Sequence, residues 1–181
     1  MVTAANRYTR TAMLLHWLMA LGIITAFGMG LTMTDIPGIT PTKLRLFNWH
    51  KWLGVTLLAL ATIRVLWRLS HPAPPLPVAM PKWQQFVAES THYALYVLLF
   101  AIPLSGYLYS LAAGFPIVYL GLIPLPVVID PNPELKPVLK AVHYWLNMGL
   151  AGLVIAHAGA ALKHHFIDRD DILKRMLPRL G

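Results

Sequence analysis

Four long apolar stretches constrain the fold of this chain of 181 residues. They extend from Ala12 to Met33, from Phe47 to Leu69, from Phe86 to Ala112 and from Pro137 to Phe166. As helices rising about 1.5 Å per residue, all four can cross a hydrocarbon layer about 30 Å thick. Charged residues make up only 12% of the chain, against about a quarter in soluble domains. The sequence therefore predicts an all-α membrane protein, with one four-transmembrane-helix bundle over residues 1–181.

The segments around these stretches carry further expectations. The first stretch is longer than the apolar region of a signal peptide and lacks an A-x-A cleavage site, which favours a span over a secretory signal. Pro103 is expected to kink the third stretch. The linker HPAPPLPVAMPKW is expected to run extended over the surface. The segment from Gly114 to Pro137 is apolar and proline-rich, and is expected to form a lid in the interface or over one end of the bundle.

The basic side chains predict the orientation of the bundle. With the N-terminus inside, the cytoplasmic side holds ten of them: Arg7, Arg10, Arg64, Arg68, Lys82, Lys163, Arg169, Lys174, Arg175 and Arg179. The opposite side holds five: Lys43, Arg45, Lys51, Lys136 and Lys140. By the positive-inside rule both termini are cytoplasmic. Because these residues flank the apolar stretches, the net charge of +8 indicates contact with the lipid bilayer and not with nucleic acid.

Histidines are placed at two matched depths. His143 and His157 in the fourth stretch are fourteen residues apart, so they leave one helix face about 21 Å apart along the axis. His16 matches the inner depth of His157, and His50 matches the outer depth of His143. Imidazole is a normal ligand of b-type haem, and a chain without cysteine can hold no c-type haem or thiolate-bound cluster. We therefore expect two haem b groups, an inner one on His16 and His157 and an outer one on His50 and His143.

Several alternatives remain open at these positions. An isolated histidine in a span is usually a polar side chain satisfied within the bundle, but four at two depths favour a cofactor. His92 in the third stretch could replace an inner ligand, or contact a propionate or a quinone. Arg64, fourteen residues after His50, either pairs with a propionate of the inner haem or extends to the headgroups. Four glycines would let a flat macrocycle approach the backbone, or serve plain helix packing: Gly22, Gly54, Gly149 and Gly152.

Motifs along almost the whole chain carry a family resemblance. They are RYTRTAMLLHW, HKWLG with IRVLWRL, the HPAPPLP linker, THYALYVLLFAIPLSGY, and GLVIAHAGAALKHHF with DDILKRMLP. In these motifs the chain resembles the bacterial cytochrome b561 family. The resemblance implies a multi-pass di-haem cytochrome of the bacterial inner membrane, with His16–His157 and His50–His143 as its axial pairs. It also implies electron transfer, because some members oxidise superoxide and reduce ubiquinone. The loop from Gly114 to Pro137 departs from the family in sequence.

Positive charge at the outer side is consistent with an anionic electron donor. Five basic residues surround the expected mouth of the outer haem, with Asp35, Asp130 and Glu134 as the nearby acids. Such a surface would steer a small anion such as superoxide, although a solvated loop could carry the same charges. We therefore expect an oxidoreductase that oxidises superoxide at the periplasmic side and reduces ubiquinone. The alternatives are a cytochrome b anchor subunit between a partner dehydrogenase or hydrogenase and quinone, and a non-redox bundle that moves protons or a metal ion.

Overall fold

The computed structural model describes residues 7–77 and 80–177. It contains four long helices: α1 (Arg10–Asp35), α2 (Pro41–Ser70), α3 (Lys82–Ala112) and α4 (Leu135–Phe166). All four are long and apolar enough to cross a membrane. Large apolar side chains such as Leu21 and Ile155 are exposed on the outer surface of the helices, as expected where that surface contacts lipid. The predicted four-helix membrane architecture is confirmed.

Helix α2 departs most from its predicted start. It begins at Pro41, whereas the apolar stretch begins at Phe47. Thr40 Oγ1 accepts a hydrogen bond from the backbone N–H of Lys43 at 3.2 Å, and proline fits the first turn because its missing N–H would have no helical partner there. Hydropathy did not detect this first turn of the helix, because the charged residues Lys43 and Arg45 interrupt the apolar pattern. Helix α3 continues through Pro103, and the kink expected there stays a prediction.

The helices form a ring in chain order. α1 packs against α2, α2 against α3 and α3 against α4, and α4 faces α1 and α2 across the bundle through the ring pairs His16–His157 and His50–His143. The short connection between α1 and α2 turns the chain back on itself. We call the end with the α1–α2 and α3–α4 connections the loop end, and the other the termini end. Met19, Leu57 and Ala61 form a small core between α1 and α2.

At the termini end, the chain after α4 folds back onto the start of α1. A single 3₁₀ turn covers Leu173–Arg175. The Tyr8 N–H donates to the carbonyl of Arg175 at 3.4 Å, and Trp17 Nε1 donates to the carbonyl of Met176 at 2.9 Å. Arg175 also donates to the carbonyl of Pro75 in the α2–α3 linker at 2.6 Å. These contacts hold both terminal segments and the linker together, while Arg179 lies outside the described residues.

At the loop end, the α3–α4 connection contains a small antiparallel hairpin that was not predicted. Its strands are β1 (Val118–Tyr119) and β2 (Ile123–Pro124). The turn between them places Leu120 at φ 53° and Gly121 at φ 73°. Glycine adopts this left-handed conformation without a steric penalty. The connection is therefore a structured element folded against the bundle, and strands this short leave no alternating pattern in the sequence.

Candidate haem sites

The outer histidines face each other across the bundle near the loop end. The ring centroids of His50 on α2 and His143 on α4 are 6.2 Å apart, with the ring planes at 88°. Two imidazoles on opposite sides of one metal ion should have centroids about 6.2 Å apart, because each metal–nitrogen bond is about 2.0 Å and each nitrogen lies about 1.1 Å from its ring centre. The separation of the two rings therefore fits an axial pair.

Neighbouring helices hold both outer imidazoles from behind. His50 Nδ1 lies 3.0 Å from the carbonyl oxygen of Ala26 on α1. His143 Nδ1 lies 3.1 Å from the carbonyl oxygen of Ile102 and 3.0 Å from Ser105 Oγ, both on α3. Because a carbonyl can only accept, Nδ1 carries the proton in both rings and the Nε2 lone pair is left for a metal. The donor set at the loop end fits a bis-histidine haem.

Gly106 allows α3 to approach the outer site closely. A Cβ atom at this position would lie 2.8 Å from Cε1 and 3.2 Å from Nδ1 of His143, so a side chain here would displace the imidazole. Neither Ser105 nor Gly106 was predicted as part of the site. The available signal was the pair of small residues after Pro103 in AIPLSGY, which permits close approach of a neighbouring helix.

Three histidines meet near the termini end. The ring centroids of His16 on α1 and His157 on α4 are 6.3 Å apart, with the planes at 73°. His92 on α3 lies closer to His157, at 5.3 Å between centroids. That distance is shorter than the roughly 6.2 Å expected for two imidazoles across one metal. The His16–His157 pair therefore fits an inner haem better, with His92 beside it.

Arg64 lies within the bundle next to this inner cluster. Its Nε donates to the Tyr96 hydroxyl and one terminal nitrogen donates to the carbonyl of Ala12, both at 3.3 Å. Ala12 lies one helical turn before His16 on α1, so this contact brings the guanidinium beside the inner histidines. A guanidinium has five N–H donors, so several remain for a carboxylate. Both acceptors belong to neighbouring helices, which favours the propionate interpretation over extension to the headgroups.

The four candidate glycines differ in their surroundings. A Cβ atom on Gly22 would lie 2.9 Å from Cδ2 of Leu57, so this glycine serves the packing of α1 against α2. On Gly54, Gly149 and Gly152 a Cβ atom would meet no described atom within 4 Å. These three positions are the ones that leave room for a flat macrocycle near the backbone.

Two of the five loop-end cations are engaged with the protein. Lys43 Nζ donates to the carbonyl oxygen of Ile36 at 2.8 Å, which ties α2 to the end of α1. Lys51 Nζ lies 5.8 Å from the ring centroid of Phe115, a cation–π distance. Both side chains are half-buried. Their charges are therefore fixed in position near the outer histidines.

The other three loop-end cations are exposed: Arg45, Lys136 and Lys140. Lys136 and Lys140 lie seven and three residues before His143, so the three residues share one face of α4. Within residues 7–77 and 80–177, the ion pairs lie in the segment from Lys163 to Lys174 at the termini end. The described acids therefore leave these three cations without an ion-pair partner at the loop end.

A separate charged cluster closes the end of α4. His164 Nδ1 lies 2.7 Å from Asp170 and 3.1 Å from Asp168, and Lys163 lies 2.6 Å from Asp168. Lys174 donates to Asp171 at 3.0 Å and lowers the pKa of that carboxyl. Lys163 already neutralises one of the two acids around His164. This cluster is a network of ion pairs outside the haem sites.

The chain is similar to known proteins over nearly its whole length. The profile of a family described as prokaryotic cytochrome b561 matches residues 7–179. Cytochrome b561 homolog 2 of Escherichia coli is 40% identical over 173 residues, covering 95% of this chain and 92% of that protein. Homolog 1 of the same organism is 33% identical, covering 96% and 98%. The probable superoxide oxidase CybB of Yersinia pestis is 29% identical, covering 96% and 97%.

These matches confirm the family resemblance of the sequence motifs. Prokaryotic cytochromes b561 are four-helix membrane proteins that bind b-type haem. The four apolar helices and the facing histidine pairs agree with that description. The chain therefore belongs to the prokaryotic cytochrome b561 family, as a multi-pass membrane protein of transmembrane electron transfer.

Proposed function

We propose that this protein oxidises superoxide at the loop end and reduces ubiquinone in the membrane near the termini end. Two superoxide radicals would each lose one electron and become O₂, and ubiquinone would take both electrons and two protons to become ubiquinol. The observation that carries the proposal is the exposed cationic face of α4, on which Lys136 and Lys140 precede His143. The similarity to a probable superoxide oxidase supports the same donor.

Two b haems are part of this proposal. His50 with His143 would hold the outer haem and His16 with His157 the inner one, supported by centroid separations of 6.2 Å and 6.3 Å. Bound haem would accept and donate one electron at a time. The role of the chain is to fix each imidazole with Nε2 toward the metal, and to offer Arg64 as a partner for a propionate.

The direction across the membrane follows from the distribution of charge. The excess of lysine and arginine at the termini end supports an orientation with both chain ends on the cytoplasmic side of a bacterial inner membrane. The loop end then faces the periplasm, where its cations meet an anionic donor. The opposite polarity would place most of the basic residues outside the cell, against the usual bias.

A narrow cleft at the termini end is a candidate for one edge of the ubiquinone ring, because its free space of about 20 Å³ is too small for the whole ring. It is lined by aromatic rings, arginines and a histidine: Tyr8, Ala12, Arg64, Trp67, Arg68, His71 and Tyr96. The ring of His71 stacks on Trp67 with centroids 4.1 Å apart. Aromatic faces suit a planar quinone ring, and guanidinium donors suit its carbonyl oxygens. Arg68 would donate to a quinone oxygen in this cleft, while Arg64 keeps its proposed role as the partner of a propionate.

Salt-dependent kinetics test the superoxide step. A unit charge about 10 Å from the approaching anion contributes about 0.4 kcal/mol in water, or about a twofold change in encounter rate. Replacing Lys136 and Lys140 together with glutamine should therefore slow haem reduction by superoxide about fourfold at low ionic strength. Near 1 M salt the Debye length falls to about 3 Å, so the variant and the wild type should converge.

A charge-matched control separates steering from general effects. Lys82→Gln removes an exposed cation at the termini end and should leave the rate of reduction by superoxide unchanged. Stopped-flow absorbance of the haem bands measures each rate, and added ubiquinone should reoxidise the haems. If superoxide does not reduce the wild-type haems, the proposed donor is wrong. An equal rate for the double variant at low salt would rule out the steering explanation.

A further inference from the structure

The α3–α4 connection contains a long uncharged segment. From Gly114 to Ile129 it has no acidic or basic side chain. Three apolar side chains of the hairpin are largely exposed: Leu120 at 52%, Leu122 at 80% and Ile123 at 57%. A cluster of this kind facing water would be unfavourable, and it marks a contact surface.

The segment turns back along the bundle as soon as α3 ends. Gly114 has a positive φ of 80°, which glycine adopts readily. The N–H of Phe115 then donates to the carbonyl of Ser110 at 2.9 Å, and the Ser110 hydroxyl donates to the carbonyl of Phe115 at 2.5 Å. Ile117, two residues later, is buried. The chain therefore turns back beside α3 and does not extend away from the bundle.

Two side chains of α2 fasten strand β1. Trp52 Nε1 donates to the carbonyl oxygen of Val118 at 2.8 Å. The hydroxyls of Tyr119 and Thr56 form a hydrogen bond at 2.8 Å. Thr56 lies six residues further along α2 than His50, away from the loop end. The Tyr119 side chain thus reaches below the level of the outer histidine on α2.

The depth of these contacts follows from the charge pattern of α2. Residues Trp52 to Ile63 form an uncharged stretch between Lys51 and Arg64, about 18 Å of helix at 1.5 Å per residue. A stretch of this kind in a transmembrane helix lies in the hydrocarbon layer. Trp52 begins this stretch and Thr56 lies within it, so their contacts bring β1 from the level of Lys51 toward the depth of the hydrocarbon layer.

The backbone of the hairpin is suited to an environment without water, where polar groups must be paired within the protein. The N–H groups of Gly121, Leu122 and Leu125 donate to the carbonyls of Val118, Tyr119 and Ile117 at 3.1, 3.0 and 2.9 Å. Prolines occupy three positions and have no N–H to satisfy: Pro116, Pro124 and Pro126. The carbonyl of Pro126 accepts from the Tyr107 hydroxyl of α3.

We propose that residues 115–126 form a re-entrant hairpin immersed in the loop-end leaflet, with Leu120, Leu122 and Ile123 in contact with lipid acyl chains. Acyl chains are the occupant because the exposed side chains, the uncharged segment and the depth on α2 all require an apolar neighbour. The hairpin covers the α2–α3 side of the outer histidine pair. A polar reactant must then approach from the water-facing end, where the loop-end cations lie.

Site-directed spin labelling tests this proposal, and the natural absence of cysteine makes each label unique. Leu122→Cys carries the nitroxide in the hairpin. Asp130→Cys is the matched control, because it lies in the same connection, is exposed and is charged in the wild type. Both are reconstituted in phosphatidylcholine vesicles as haem-loaded protein, and the collision rates with O₂ and with a water-soluble nickel chelate are measured by power saturation.

The label at residue 122 should collide with O₂ several-fold more often, and with the nickel chelate several-fold less often, than the label at residue 130. A label at Ile123→Cys, which keeps Leu122 in place, should behave like that at residue 122. If the label at residue 122 collides with the nickel chelate as often as the label at residue 130, the hairpin lies in water. Protection from both reagents would show that a second copy or another protein covers it. Either result overturns the proposal.

Discussion

Replacing Gly106 with alanine should weaken the outer haem site selectively. The new Cβ atom would lie 2.8 Å from Cε1, 3.2 Å from Nδ1 and 3.4 Å from Nε2 of His143, so the imidazole has to retreat. It cannot do so freely, because Ile102 and Ser105 of the same helix hold its Nδ1 at 3.1 and 3.0 Å. Adding a methyl group to a packed site costs about 1–3 kcal/mol. At 1.4 kcal/mol per factor of ten, haem affinity at this site should fall about 5- to 140-fold.

The assay is a haem titration of the purified apoprotein, followed by difference absorbance. The Gly106→Ala protein should fill the inner site with wild-type affinity and the outer site more weakly. Gly28→Ala is the control, because Gly28 is exposed on α1 and its Cβ atom would meet no described atom within 4 Å. Unchanged affinity at both sites in the Gly106 variant, or an equal loss at both, would refute the steric argument.

Three further outcomes are expected. Purified protein should carry two b haems per chain in a pyridine haemochrome count, and both should be low-spin, because two axial imidazoles leave no open iron position. One haem per chain, or a ferrous form that binds carbon monoxide readily, would contradict this. Alanine at His16 or His157 should remove the inner haem, and alanine at His50 or His143 the outer one, as seen in difference spectra; loss of the same haem from the His16 and His50 variants would show that the pairing is wrong. His92→Ala should retain both haems, and a haem count of one would make His92 a ligand.

The helices were largely predictable because a membrane span needs only length and apolar composition. The last three apolar stretches end within one residue of the C-terminal ends of α2, α3 and α4. The early start of α2 was missed because Thr40 and Pro41 act through backbone hydrogen bonds, which hydropathy does not detect. The hairpin was missed for a related reason. It depends on side chains from α2 and α3, such as Trp52 and Tyr107, which are far away in sequence.

The histidines of the candidate sites could be selected from the spacing on α4 and from their depth in the other apolar stretches, since a helix fixes the direction of every side chain; that they bind haem stays a prediction. The atoms that orient them could not be selected in this way. The acceptors behind His50 and His143 include backbone carbonyls of Ala26 and Ile102, and every residue has such a group. Gly106 could be recognised only once α3 was known to pack against His143.

Helix α4 carries one histidine of each pair, and this limits how the chain can change by insertion or deletion. One residue gained or lost between His143 and His157 would rotate one imidazole by about 100° relative to the other. Seven added residues would leave the two imidazoles within about 20° of their present relative direction, but would move them about 10 Å further apart along the helix. Helices α1 and α2 carry a single candidate ligand each, but α1 also holds His50 through the Ala26 carbonyl, and α2 brings Arg64 to the inner cluster. Changes in length within this protein should therefore accumulate in the connections, in α1 after Ala26 and in α2 before His50, while α4 between its two histidines changes by substitution alone.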